Sequence, residues 1–470
     1  MAHRGKLYEM VWWFVGHYLR WYYRELTVLG LENLPPRGGG VLVSWHPNGL
    51  MDPGLIFVSF PRSVVFGARD GLFRVPLLGP LMTRMGAVPL YRSIDTSNTD
   101  PTARRARNAE SLRGLAAAVV GDRFANFFPE GDSHDEAAPQ PLKSGTARFL
   151  RQVWGQLPDE GVPPVLVPVE VHYSRKHAWL SRALIAYHPP IPLPRPPRGG
   201  DEQANRAWDA QATSQIAERL DVLACGTADW ETTALLHHIR RLSRAEQSLR
   251  SGGVPTRGDM GERASGLAWA WARHRALVRD APQSLGGLRE QVTCYVEGLE
   301  RVGLRDHELE PVPVSRRGLA VLAAAFFLAP VWSLALLVHA LPLALLWSAS
   351  RWHARRQKDI ASIRVTLGFV LLPVSWVAAA VAGAVLWGSA AAGVGTGLLV
   401  VVGFALWMRL VVPVGAVARA VRAGWRRRRH PELVSSLREQ RARIYDTLVA
   451  GGLSQPAAGA APRHATGWRY

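Results

Sequence analysis

Between residues 40 and 194 short apolar, β-rich runs alternate with helix-patterned stretches. The runs Val41–Val43, Val64–Phe66, Ala87–Tyr91, Phe124–Phe128, Val165–Val171 and Leu184–Tyr187 read as strands, and Pro101–Val120 reads as a helix between two of them. This alternation predicts an α/β fold, a mainly parallel sheet with flanking helices. The Pro-rich stretch from Pro189 to Pro197 closes it. From Asp201 to about Pro311 the chain is polar and helix-patterned, interrupted by Gly252-Gly253-Val254-Pro255. Charge then disappears. Gly318–Ser350 carries His339 as its sole ionisable residue, and Val365–Trp407 carries none. Runs of this length exceed the roughly 20 residues that cross a bilayer. With a break at Leu341-Pro342, the first predicts a re-entrant hairpin; with a Gly-rich turn near Ala390–Gly397, the second predicts a full transmembrane hairpin. The alternative is three simple spans, which would expose one basic loop to the far side.

The expected organisation is therefore an amphipathic helix over 1–30 lying in the membrane interface, an α/β domain over 31–200 and a helical region over 201–315. Membrane hairpins follow over 316–420 (318–350, 365–388 and 395–416), then a basic tail over 421–470. The N-terminal helix places Trp12, Trp13, Phe14, Tyr18, Trp21, Tyr22 and Tyr23 among cationic side chains. Its apolar stretch is short and interrupted by His17, Arg20 and Arg24, which predicts no cleavable signal.

A formal net charge of +19 calls for acidic partners, and its distribution selects among them. The chain has four lysines, so arginine carries the charge, and Arg351, Arg355, Arg356 and Arg426–Arg429 flank the apolar runs. Such clusters meet anionic headgroups at about 1 kcal/mol per residue. They place their loops on the cytoplasmic side, which predicts an integral membrane protein with its site facing the cytoplasm. No nucleic-acid motif accompanies the charge, so nucleic acid is not an expected partner. Cys225 and Cys294 fit neither a zinc site nor a disulfide framework, which points to a reducing compartment.

The chemistry concentrates after the first strand. Trp45-His46-Pro47-Asn48-Gly49-Leu50-Met51-Asp52-Pro53 puts an imidazole and a carboxylate on a tight turn that can fold Asp52 back onto His46. A neutral His whose tautomer a carboxylate fixes can remove a hydroxyl proton with its other nitrogen. Three further blocks follow in or beside strands: Gly86-Ala87-Val88-Pro89-Leu90-Tyr91-Arg92, Phe128-Pro129-Glu130-Gly131 and Val167-Pro168-Val169. In order and spacing these four blocks resemble the motifs of the glycerolipid acyltransferases that make lysophosphatidic and phosphatidic acid. Most members place four residues between His and Asp, and this chain has five. That longer form, with Phe-Pro-Glu-Gly-x-Ser-His-Asp over Phe128–Asp135, is similar to a subgroup holding fungal glycerol-3-phosphate/dihydroxyacetone-phosphate acyltransferases and bacterial relatives.

The resemblance implies a fold of the glycerolipid-acyltransferase type for 31–200 and acyl transfer to a hydroxyl of glycerol 3-phosphate or 1-acylglycerol 3-phosphate. His46 would be the general base and Asp52 its orienting partner. Arg92 would bind the acceptor phosphate, for which a guanidinium fork is suited. Glu130 and Gly131 would shape the acceptor site, His134 would assist proton transfer or bind the acceptor, and Lys143 would add a cation. Acyl-CoA or acyl-carrier protein would be the co-substrate, with no cofactor; membrane lipids, the thioester donor and the phosphorylated acceptor are the expected partners. The chain has no Gly-x-Ser-x-Gly elbow, and Gly38-Gly39-Gly40 lacks the Lys-Ser/Thr of a P-loop. His237-His238 and His134-Asp135-Glu136 lack convincing ligand spacing, so no metal is expected. Two rivals remain: a transferase for another acceptor, such as a lysophospholipid or dihydroxyacetone phosphate, and a lipid-binding scaffold without turnover.

Overall fold

The runs of β-branched and aromatic residues form strands of one sheet. The computed structural model describes residues 5–75, 78–91, 100–197, 199, 201–311, 315–354, 356–450 and 466–469. They divide into two compact units, the first comprising 5–176, 181–226 and 466–469, the second 177–180 and 227–450.

The first unit opens with helix α1 (Lys6–Tyr22) and strand β1 (Tyr23–Leu29). Next come β2 (Gly40–Val43), α2 (Met51–Ser59), β3 (Val64–Arg69), α3 (Asp70–Phe73), α4 (Leu78–Arg84) and β4 (Val88–Leu90). It continues through α5 (Pro101–Val120), β5 (Phe124–Phe127), α6 (Gly145–Gln156), β6 (Val165–Tyr173), β7 (Ser181–Tyr187) and α7 (Glu202–Ala224). The sheet order is β4-β3-β5-β2-β6-β7-β1-β8, where β8 is Thr466–Arg469. Pairing is parallel from β4 through β6 and between β7 and β1; β6–β7 and β1–β8 are antiparallel. The sheet is thus mixed and mainly parallel, as the pattern predicts.

Two boundaries shift. Residues 23–29 leave the expected N-terminal helix and form an inner strand, because their apolar side chains find partners on β7 and the charged pair Glu25–Arg182 is buried with them, at 3.8 Å. The α/β unit also runs beyond residue 200. Helix α7 returns to the sheet, and its Trp208, Ala212, Ile216 and Leu220 join one core with Val41 and Val43 of β2, Leu115 and Val119 of α5, and Leu150 and Val153 of α6. Trp208 Nε1 donates to the Pro194 carbonyl at 3.0 Å, fixing the Pro-rich connection beneath it. On the opposite face Phe124 meets Phe60, the residue that ends α2. Helix α1 is anchored by Tyr8, whose hydroxyl accepts from the Val64 N–H at 3.0 Å, and it exposes Met10, Trp13 and Phe14.

The second unit contains α8 (Trp230–Arg250), α9 (Met260–Asp280), α10 (Pro282–Val302), α11 (Arg316–Phe327), α12 (Ala329–His353), α13 (Gln357–Trp387), α14 (Ala390–Arg429) and α15 (Pro431–Val449). α8, α9, α10 and α15 pack together. α12, α13 and α14 are long and apolar enough to cross a membrane. Two expected breaks move. The first run bends at Leu328, ahead of Pro330, and α12 runs through Pro342. The second turns at Gly388, whose φ of 62° closes α13, and the glycines placed in a turn near 390–397 lie inside α14. They are packing positions: a Cβ on Gly393 would lie 2.6 Å from the Ala380 carbonyl oxygen. Close backbone approach of this kind drives helix association where water supplies no hydrophobic force. His339 is fully buried, with Nδ1 on the Ala335 carbonyl and Nε2 accepting from Trp376 Nε1 at 2.9 Å, so this imidazole joins α12 to α13.

The Gly38–Gly40 run serves chain entry into β2. A Cβ on Gly39 would overlap the Val119 carbonyl oxygen and lie 2.6 Å from that of Arg123. Gly39→Ala is therefore expected to destabilise the protein by about 1–3 kcal/mol, the range for overpacking. Thermal unfolding in detergent checks it, and an unchanged midpoint would contradict the packing described.

Candidate active site

Strands β2, β5 and β6 run parallel and side by side, so the segments leaving their carboxyl ends converge. In open α/β sheets this edge is where ligands bind. His46 lies three residues beyond β2, Glu130 three beyond β5, and Tyr173 ends β6.

Asp52 sits in the first turn of α2 and is fully buried. A carboxylate removed from water needs donors, and three reach it. Its Oδ2 accepts from His46 Nδ1 at 2.8 Å and from the Asn48 N–H at 2.8 Å; its Oδ1 accepts from the Tyr173 hydroxyl at 2.5 Å. Burial and the Asp52 charge both push the Tyr173 hydroxyl well above its ordinary pKa, so it remains a donor. Because Nδ1 donates, the neutral imidazole presents Nε2 as a lone pair, and Nε2 has no hydrogen-bond partner among the described residues. One face of the ring stacks on Phe128, centroids 3.9 Å apart and planes at 13°. The imidazole is thus held on one edge and one face, with a basic nitrogen available.

Glu130 fixes the same loop from the β5 side. Its Oε2 accepts from the His46 N–H at 2.8 Å; its Oε1 accepts from the Gln140 N–H at 2.9 Å and from His134 Nε2 at 2.7 Å. Glu130, expected to shape the acceptor site, is thus a buried carboxylate already holding protein donors. His134 is likewise engaged. Its Nδ1 accepts from the Glu136 N–H at 3.2 Å and its own N–H donates to the His46 carbonyl at 3.1 Å, so it ties two loops together.

Gly131 turns the chain at a φ of 79°, and Lys143 crosses over it: a Cβ there would lie 2.6 Å from Nζ. The Lys143 N–H donates to the Pro129 carbonyl at 2.9 Å, while the ammonium is exposed and makes no ion pair among the described residues. The sequence reading thus has five of its seven residues, His46, Asp52, Glu130, Gly131 and His134, assembled at one sheet edge, with Lys143 beside them. Arg92 lies outside the described residues, which resume at Asp100 after Tyr91.

Three contributors escape a reading of motifs. Tyr173 lies 121 positions from Asp52 and carries no local signal. Asn48 stands inside the His-Asp turn, but its part is played by backbone N–H and by Nδ2, which donates to the Lys176 carbonyl at 2.8 Å. Phe128 is in the Phe-Pro-Glu-Gly block, and only three dimensions show its ring against His46.

Comparison with known proteins agrees with this geometry. The Acyltransferase family model matches residues 25–172. Glycerol-3-phosphate O-acyltransferase 1 of Saccharomyces cerevisiae is 26% identical over 191 residues, 40% of this chain and 24% of that one. An uncharacterized acyltransferase of Schizosaccharomyces pombe is 27% identical over 392 residues, 66% of this chain and 56% of that one. A chloroplastic 1-acyl-sn-glycerol-3-phosphate acyltransferase of Brassica napus is 31% identical over 122 residues, 26% of this chain and 32% of that one. The chain thus spans from about a quarter to just over half the length of these relatives. The crystal structure of the 1-acyl-sn-glycerophosphate acyltransferase PlsC from Thermotoga maritima matches with 16% identity and a TM-score of 0.30, covering 47% of this chain and 84% of that one. Residues 25–172, which carry both the His46–Asp52 pair and the Glu130 loop, match the Acyltransferase family model, and the chain is similar over part of its length to glycerol-3-phosphate and 1-acylglycerol-3-phosphate acyltransferases.

Proposed function

We propose that this protein transfers a fatty acyl group from an acyl thioester, on CoA or acyl-carrier protein, to a hydroxyl of glycerol 3-phosphate or 1-acylglycerol 3-phosphate at a membrane surface. The observation that carries the reading is the buried Asp52 carboxylate accepting from His46 Nδ1 and so orienting the ring while Nε2 stays available. His46 Nε2 takes the acceptor's hydroxyl proton as its oxygen attacks the thioester carbonyl carbon. The C–S bond then breaks, and the thiolate recovers the proton from the imidazolium. Asp52 stabilises the transient imidazolium, and Tyr173 and Asn48 hold its carboxylate plane. No acyl-enzyme is needed, because a thiolate leaves readily. Glu130 and His134 act by holding the His46 loop, whereas Lys143, beside Gly131, and Arg92 serve the acceptor phosphate.

Purified protein assayed with a thioester donor and glycerol 3-phosphate, lysophosphatidate or unphosphorylated glycerol should show transfer to a phosphorylated acceptor. His46→Ala should lower it at least about 10²-fold. Lys143→Ala and Arg92→Ala should raise KM for the phosphorylated acceptor more than they lower kcat. Equal turnover by wild type and His46→Ala would remove base catalysis, and lipid binding without turnover would favour the scaffold.

We further propose that the candidate site faces the cytoplasm. Helices α10 and α15 flank the apolar segment and pack on each other, with Arg426 donating to the Gly303 carbonyl, which supports a chain that enters and leaves the bilayer on one side. In this reading the crossings are even in number: α13 and α14 form a hairpin, and α11 with α12 returns to its own side. At about 1.5 Å per residue, the twelve residues of α11 reach about 18 Å, short of the roughly 30 Å hydrocarbon core. The Arg351–Arg364 loop and the Arg426–Arg429 cluster then lie on the positive, cytoplasmic side. Exposed Cys294 on α10 and a Ser435→Cys substitution on α15 should both react with an impermeant thiol reagent from the cytoplasmic side alone. Labelling from opposite sides would contradict the arrangement.

A further inference from the structure

Buried arginines in the second unit are treated in two ways. Arg441, 1% exposed, is fully paired: Nε donates to Glu246 at 3.0 Å, one terminal nitrogen to Glu310 at 2.9 Å and the other to the Asp306 carbonyl at 3.1 Å. Arg240, on α8 and 4% exposed, makes no hydrogen bond and no ion pair among the described residues, and its Nε is wholly buried. One helical step along, Ser243 is 0% exposed and its hydroxyl also lacks a partner among the described residues. Positions i and i+3 share a helix face, so two buried donors stand side by side. Unpaired buried charge is strongly unfavourable, and buried arginines are almost always matched by an anion.

The nearby carboxylates are already committed. Glu262 pairs with Arg244 at 2.6 Å, Asp306 lies 3.9 Å from Arg241, and Glu246 serves Arg441 and Arg250. Three guanidiniums, Arg263, Arg241 and Arg244, act on Arg240 against one carboxylate, Asp306. The surrounding groups register this. Burial, with Arg263 and Arg241, outweighs the opposing carboxylate of Asp306 and pushes the Arg240 guanidinium well below its ordinary pKa. Burial and Arg241 bring His238 down to about 4; burial with Arg305, Arg257 and Arg244 does the same to His307. Both histidines are then neutral at physiological pH and add no charge of their own.

We propose that Arg240 and Ser243 form a binding site for a phosphate group, with Arg263 and Arg241 supplying the surrounding positive potential. A guanidinium presents two parallel N–H donors that match two oxygens of a tetrahedral phosphate, and the serine hydroxyl supplies a third donor. A neutral ligand or an amine would leave the charge unanswered. The phosphate can come from a phospholipid headgroup or from a soluble phosphate ester, and the site is distinct in residues from the His46 centre, so it stands or falls independently of the acyl-transfer reading.

The test is thermal unfolding of the full chain in dodecyl maltoside with two probes: inorganic phosphate against chloride at matched ionic strength, and phosphatidylglycerol added to the micelles. At about a hundredfold excess over Kd, a bound ligand should raise the wild-type Tm on the order of 5 °C. Arg240→Gln should lose the rise and, without phosphate, should melt no lower than wild type, because the unanswered charge is gone. Ser243→Ala should keep a smaller rise. A wild-type response to inorganic phosphate assigns a soluble phosphate, and a response to phosphatidylglycerol alone assigns a headgroup. No wild-type response to either probe, or an equal response in Arg240→Gln, would overturn the proposal.

Discussion

The candidate centre depends on one constraint: a carboxylate, Asp52, held out of water at the start of α2. An ionised carboxyl in that position is tolerated only while donors surround it. Those donors come from three places in the chain: the His46 ring, the Asn48 N–H and the hydroxyl of Tyr173 at the end of β6. Satisfying Asp52 therefore fixes the imidazole tautomer, the shape of the His46–Asp52 turn and the register of β6 against β2 together. Glu130 repeats the device from the β5 side, spending its oxygens on the His46 N–H, the Gln140 N–H and His134. Two buried carboxylates thus hold one loop, and the His46 imidazole presents Nε2 from a rigid support, the condition for precise orientation.

Much of this was legible in the sequence. Strands with apolar runs and a helix with a clear start, such as α5 with Asp100 capping Thr102 and Ala103, are local statements that the chain makes in order. The His46–Asp52 pair was legible because turn chemistry and residue type coincide within seven positions. Other features depend on partners remote in sequence. β1 carries Glu25, which suggests a polar surface until Arg182 of β7 is brought against it. Helix α7 looks like the first of a polar helical series, yet four of its residues complete the core of the sheet. Tyr173 is an ordinary strand tyrosine until β6 lies beside β2.

The apolar segment shows a different limit. Glycine and proline mark turns in water, where exposed backbone is solvated. Within a bilayer every backbone polar group needs a partner, so the helix continues through such residues. Pro342, Pro373 and Pro413 accordingly lie inside helices, and Gly393, Gly397 and Gly403 mark where neighbouring helices approach. The same rule explains His339, whose two ring nitrogens are occupied by a carbonyl and by Trp376.

The most direct test of the account is the rate of acyl transfer by Asp52→Asn, measured across pH beside wild type. The amide keeps the shape of the side chain but removes the charge that stabilises the imidazolium and the acceptor that fixes its tautomer. The account predicts that kcat falls at least about 10²-fold with KM for the phosphorylated acceptor little changed. Wild-type kcat in a correctly folded Asp52→Asn protein would contradict it.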